Sequence, residues 1–423
     1  MQRALAYALS PAPGLPLRFL LTAPWFAALA GLVLLLAGDS VFVSRWSPPT
    51  LAATHLLTLG CLTTAMAGSM LQLIPVVTGI ALPASRAAAA LIWIGLALGA
   101  LLLATALGLN VNILFVPAAL LLSIAIATLV TLIGCALARA TSPAALPMMR
   151  GMRLAVAGLV IALATGVGLA ATLGGALAMP VLLIADLHAA WGLLGWVAML
   201  VVGVAFQVIP MFQSSQLYPA AVARWAPWTL AGLLAAWSFA WVAGSASAAV
   251  PALLIGAALA AFAGLTARLL ATRKRKELDA TTLYWRLSLA SLAASALLYQ
   301  LPDSRQTPLI VGIVFIGGFA MGAVNGMLYK IVPFLLWYHL QHDAHATKGA
   351  VPTIRVILPD ALARRQFWWH AAALAALCGA VYAPAWLARP GAALLVASSM
   401  LLGVDLWRAT LRCRRIARSF QPS

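Results

Sequence analysis

The residues best placed to do chemistry are two histidines, His55 and His188, each lodged in an apolar run and each upstream of the same short pattern. Gly68, Gln72 and Pro75 follow the first, and Gly203, Gln207 and Pro210 follow the second. A third copy, Gly326, Lys330 and Pro333, completes the template G-x3-[QK]-[LIV]-[IV]-P. His55 lies 13 residues before its glycine and His188 lies 15 before its own, while the third copy has no such histidine. An ionisable side chain inside an apolar span is costly and marks a functional site by default. Two neutral imidazoles make good ligands for haem iron or copper. The expected chemistry is therefore ligation by His55 and His188 of a cofactor, haem first and copper second. The bland alternative is that each imidazole bonds a neighbouring carbonyl.

Other candidates carry less. Asp186, two residues before His188, does not share its helix face, so it sets an imidazole tautomer only from another element, or simply faces water. Met66 and Met70, one turn apart, and Met199 offer thioethers, which ligate haem iron or cuprous copper but more often fill core gaps. Gln72, Gln207 and Lys330 read either as a polar path or as side chains reaching the headgroups beside a proline that ends the regular helix. His339, His342 and His345 fall in a long loop at spacing three and bind a metal loosely at best. His370, among aromatic residues, reads as an interfacial belt residue. Cys61, Cys135, Cys378 and Cys413 show no metal-site spacing.

Membrane helices must position these groups. Of 423 residues, 64% are hydrophobic and 8% charged, against about a quarter charged in soluble proteins. Apolar runs of about 20 residues mark spans, and twelve are expected: 19–38, 52–79, 87–109 and 112–137; 154–178, 181–210, 227–246 and 249–271; 282–301, 308–332, 367–388 and 391–409. The breaks are GDSVFVSRWSPP, TRKRKELD, PDSRQTP and ARPG. The template copies lie 135 and 123 residues apart, which fits three four-helix units, near 15–145, 150–276 and 280–415, within one membrane domain. The fold class is thus all-α and polytopic.

With the N-terminus in the cytoplasm, only Arg45, Arg305 and Arg389 of the 26 basic residues fall outside, leaving 23 inside, among them Arg273 to Lys276 and the tail from Arg408 to Arg418. The positive-inside rule then accounts for the net charge of +18 without nucleic acid. The expectation is a bacterial-type inner membrane protein with both termini cytoplasmic. No signal peptide is read at the start of the chain.

Twelve spans in three units, with a histidine near the outer start of the second and sixth, resemble subunit I of the haem-copper oxidase superfamily. The phrase HLLTLG is also similar to a segment of NnrS-like proteins, a haem- and copper-associated membrane family linked to nitric-oxide metabolism. The resemblance implies that His55 matches the oxidase second-helix ligand of the low-spin haem and His188 the sixth-helix histidine of the copper site. The chain departs from the oxidase pattern in having Gly192 and Leu193 where a further ligand or tyrosine belongs, and no histidine in 225–246 or 308–332. A complete binuclear centre is therefore not expected. The leading reading is a haem-binding, or copper-binding, membrane protein of redox or nitrogen-oxide metabolism, in the lipid bilayer with electron-transfer or other membrane subunits as partners. The alternatives are a small-solute transporter or channel and a cofactor-free assembly or sensor protein.

Overall fold

The computed structural model describes residues 6–82, 86–140, 145–274, 277–302, 304–347 and 351–419. The apolar runs form helices, and no strand occurs among the described residues. We label the long helices α1 (Gly14–Ala37), α2 (Pro48–Thr78), α3 (Arg86–Leu109), α4 (Phe115–Arg139), α5 (Leu146–Leu173), α6 (Val181–Gln213), α7 (Ala220–Val242), α8 (Ala249–Ala271), α9 (Ala280–Leu298), α10 (Thr307–Gln341), α11 (Asp360–Ala380) and α12 (Pro384–Ser419). Nine of these are long and apolar enough to cross a bilayer. The other three, α7, α9 and α11, have 23, 19 and 21 residues. Tryptophan in α7, Ser and Thr in α9 and charge at the start of α11 make them more polar.

Several boundaries differ from the expectation. Pro75, Pro210 and Pro333 do not end their helices, for each lies inside one. In a packed bundle the carbonyl that proline frees is re-satisfied by neighbours and by local adjustment of the turn. As a result α10 continues through the stretch expected to be a loop, so His339 sits on a helix; the side chains of His342 and His345 lie outside the described residues. The sequence ARPG is likewise no break, because α12 starts at Pro384 and carries Pro390 within it. Arg275 and Lys276 of the basic connection after α8 lie outside the described residues.

The packing follows a recurring scheme. Helix α1 lies on α2, α5 on α6, and α9 on α10, while α4 meets α5, α8 meets α9 and α12 closes back onto α1. The glycines of the template mark the crossings. A Cβ at Gly68 would come within 2.5 Å of Phe19 Cβ on α1, one at Gly203 within 2.7 Å of Gly151 Cα on α5, and one at Gly326 within 2.5 Å of Tyr284 Cβ on α9. A second glycine lies eight residues before each: Gly60 faces Phe26, Gly195 faces the Gly158 backbone and Gly318 faces Ser291. Small residues of this kind let helices approach closely where lipid supplies no hydrophobic drive.

Each of the three crossing helices is also wound wide in its middle. Eight-residue π-helical segments occupy Leu56–Thr63 in α2, Trp191–Ala198 in α6 and Ile313–Ala320 in α10. Such segments displace the backbone hydrogen-bond ladder and are frequent at functional sites. They place the site.

Candidate functional site

His55 is the last residue before the first wide segment, and His188 lies three residues before the second. Both are the eighth residue of their helix, α2 starting at Pro48 and α6 at Val181. At 1.5 Å rise per residue each sits roughly 10 Å along its helix. The structure brings the two together: their ring centroids are 6.2 Å apart and the ring planes are inclined by only 17°. Carbon atoms in contact lie at about 3.5–4.0 Å, so the rings do not touch face to face.

The hydrogen bonds settle the tautomers. His55 Nδ1 is 2.8 Å from the carbonyl oxygen of Leu51, and His188 Nδ1 is 2.9 Å from that of Ala162 on α5, with Thr165 Oγ1 at 3.3 Å. A carbonyl only accepts, so in each neutral ring Nδ1 carries the proton and Nε2 keeps its lone pair. No hydrogen bond from a described residue reaches either Nε2. This is the arrangement that metal-ligating histidines use, with the far nitrogen donating to a carbonyl that fixes the ring. Two imidazoles bound on opposite sides of one metal at about 2.0 Å per bond would place their centroids a little over 6 Å apart, close to the separation here. The separation of the rings is thus of the size that one metal ion between two imidazoles requires. Bonding to carbonyls, the bland alternative, also occurs, but it uses only one nitrogen of each ring.

Room for the ring of His188 comes from Gly166 on α5, where a Cβ would approach His188 Cε1 to 2.8 Å. Leu56, the residue after His55, is fully buried. Trp191 is held by its indole N–H, which donates to Ser238 Oγ on α7 at 3.0 Å. Asp186 does not serve an imidazole; it pairs with Arg45 at 2.9 Å, tying the connection before α2 to the start of α6. Trp196 Nε1 donates to Thr63 Oγ1 at 3.1 Å and joins the two wide segments directly.

The remaining candidates lie elsewhere. Lys330 does not reach for headgroups; its Nζ meets Asp279 Oδ2 at 2.8 Å, at the start of α9. Gln72 Nε2 donates to Ser10 Oγ at 2.6 Å. Met199 is buried in the core. Met66 and Met70 line an apolar cavity of about 150 Å³ where α2, α6 and α10 meet, which Gln72 also lines and Gln207 does not. His370 is not a belt residue. Helix α11 begins at Asp360, seven residues earlier than expected, so His370 falls in mid-helix, 2% exposed, and its Nε2 donates to the Gly317 carbonyl of the third wide segment at 3.0 Å. The aromatic signal belongs to Trp368 and Trp369, which are the exposed residues.

Two buried charges escaped the sequence reading. Asp405 on α12, 1% exposed, accepts from Tyr329 Oη at 3.1 Å and from Arg365 at 3.3 Å. Arg273 is not a solvated loop charge: it donates to Gln213 Oε1 at 2.9 Å and to the Thr282 hydroxyl, binding the end of α6 to the start of α9. An acid within the apolar run of α12 was the available signal for the first. Among the described residues no group of three or more His, Cys, Asp and Glu gathers, so no third residue of these types joins the paired histidines. No family model matches the chain, and no curated protein is similar to it.

Proposed function

We propose that the protein is a haem-binding inner-membrane protein of redox or nitric-oxide-related metabolism, in which His55 and His188 would hold the iron. The observation that carries this is the near-parallel imidazole pair, with both Nδ1 atoms committed to carbonyls and both Nε2 atoms without a partner among the described residues. A porphyrin supplies four equatorial nitrogens, so a site with two protein ligands suits haem better than zinc, which wants three or four protein ligands. Copper in its cuprous state is the second choice. Bound haem would supply one-electron chemistry. The chain's own part is to hold the two rings, fix their tautomers through Leu51 and Ala162, and limit water around them with Leu56. The fold in this reading is twelve spans in three four-helix units, similar to oxidase subunit I, without the ligands of a binuclear centre and served by electron-transfer or other membrane subunits.

The test is the absorption spectrum of the purified protein, oxidised and reduced, with metal analysis, for wild type and for His55→Ala and His188→Ala at equal amounts of folded protein. Haem in the wild type at one per chain, falling at least tenfold in each variant, is the expected result. Wild-type protein without haem or copper, or variants with unchanged content, overturns the reading. A second reading, a small-solute transporter, has one observation of its own in the cavity at the junction of the three crossing helices.

A further inference from the structure

The cavity between α2, α6 and α10 is lined by apolar side chains with Met66, Met70 and Met327 among them, and by the indole of Trp285. Its volume is about 150 Å³. A cavity of about that volume in a protein core stays dry when it is wholly apolar and admits a benzene-sized ring. This one is not wholly apolar. Ser69 and Gln72 line it, and Gln72 Oε1 is buried with no hydrogen-bond partner among the described residues while Nε2 is taken by Ser10 Oγ. Exchanging the amide's oxygen and nitrogen does not remove the deficit, because Ser10 still engages one arm and the other is left over. A ligand that meets this site must fill a ring-sized space, favour thioether and indole neighbours, and bring a polar group to one point of the wall. Methionine sulfur makes favourable contacts with aromatic rings, and a hydroxyl both donates and accepts, so it satisfies whichever amide arm is free.

We propose that this cavity is a binding site for a phenol-sized aromatic alcohol, whose ring lies among the methionines and whose hydroxyl bonds the Gln72 amide. The site is separate from the histidine pair and holds whether or not the protein carries a metal. Its position gives it a consequence for the fold, since a ligand there touches all three crossing helices at once.

The experiment uses the full chain in detergent with 4-fluorophenol as probe and fluorobenzene as its hydroxyl-free counterpart, followed by fluorine NMR. The wild type is expected to show a saturable bound resonance at one site per chain, with 4-fluorophenol held at least tenfold more tightly than fluorobenzene. Gln72→Leu is expected to abolish that preference, leaving fluorobenzene binding unchanged. Ala323→Phe, which fills the cavity from α10, is expected to abolish both; should it not fold, Val204→Phe fills it from α6. A signal that never saturates, or that is the same in all variants, is partition into detergent and overturns the proposal. Equal affinity for the two probes in the wild type also overturns it, leaving a void without a recognition group.

Discussion

At the scale of single residues, the spacing of the two histidines is itself informative. They sit 13 and 15 residues before equivalent glycines, an offset of two residues, or roughly 200° of rotation at 3.6 residues per turn. Were α2, α6 and α10 related by a cyclic arrangement, the face that α2 turns to α6 would not be the face that α6 turns to α2. Equivalent positions would therefore not meet, and an offset pair can. His188 further depends on Gly166, so Gly166→Val is expected to displace its ring and weaken cofactor retention several-fold without removing a ligand, read as haem content after dialysis; retention equal to wild type counts against the geometry. The Asp279 and Lys330 pair lends itself to a pH test. Burial alone would raise the Asp279 carboxyl, but the hydrogen bond and charge of Lys330, with the hydroxyl and amide of Thr282, outweigh it and hold the group below its ordinary value. A carboxyl depressed in the fold contributes stability above the unfolded aspartate pKa of about 4 that is lost as pH falls through the folded value. Lys330→Met is expected to cost about 1–3 kcal/mol near neutrality and to flatten the acid side of the melting profile. Parallel profiles for variant and wild type would exclude this role for the pair.

At the scale of elements, the two-glycine pattern is the unit that repeats, with Gly60 and Gly68, Gly195 and Gly203, and Gly318 and Gly326 each eight residues apart. The second of each pair belongs to the template, where it stands close to the Gln or Lys and the proline; the eight-residue pairing with the first does not show in the template. The first lies in the wide segment, and nothing in local composition announces that α2, α6 and α10 leave regular α geometry there. The His pair was legible for the opposite reason: imidazoles are rare in apolar spans, and each lay near a recurring landmark. Proline misled at Pro75, Pro210, Pro333 and Pro390, since the rule that it ends a helix weakens where packed neighbours re-satisfy the freed carbonyl. The glycine account predicts that Gly203→Leu, which drives a side chain into the Gly151 backbone, destabilises by about 1–3 kcal/mol or more. Gly264→Leu on α8, where a Cβ meets nothing within 4 Å, is expected to be near neutral. Thermal melts of the two variants in detergent decide it, and equal losses would show that the crossing is not tight.

At the scale of the whole molecule, the question is which end faces which compartment. The connection that carries Arg45, the turn beside Arg389 and the histidine pair share one end: Arg45 reaches Asp186 near His188, and the Arg389 guanidinium lies over Gly38, just past α1. The N-terminal segment lies at the other end of α2, where Ala6 N–H donates to the Val76 carbonyl at 2.9 Å. Basic residues are scarce near the histidine end and abundant in the connection after α8 and the exposed last turns of α12, with Arg412, Arg414, Arg415 and Arg418. The positive-inside rule weighs such short flanking stretches. It predicts the histidine end outside, both termini inside, and α7, α9 and α11 spanning although they are the more polar helices. The arithmetic is strict, because omitting any one of these three as a span reverses every later segment. Reporter fusions in the connection between α9 and α10, near Arg305, are expected to read outside, and fusions after α8, near Arg273, inside. A fusion near Arg305 on the same side as one near Arg273 would remove α9 as a span, and an N-terminus and C-terminus on opposite sides would require an odd number of crossings.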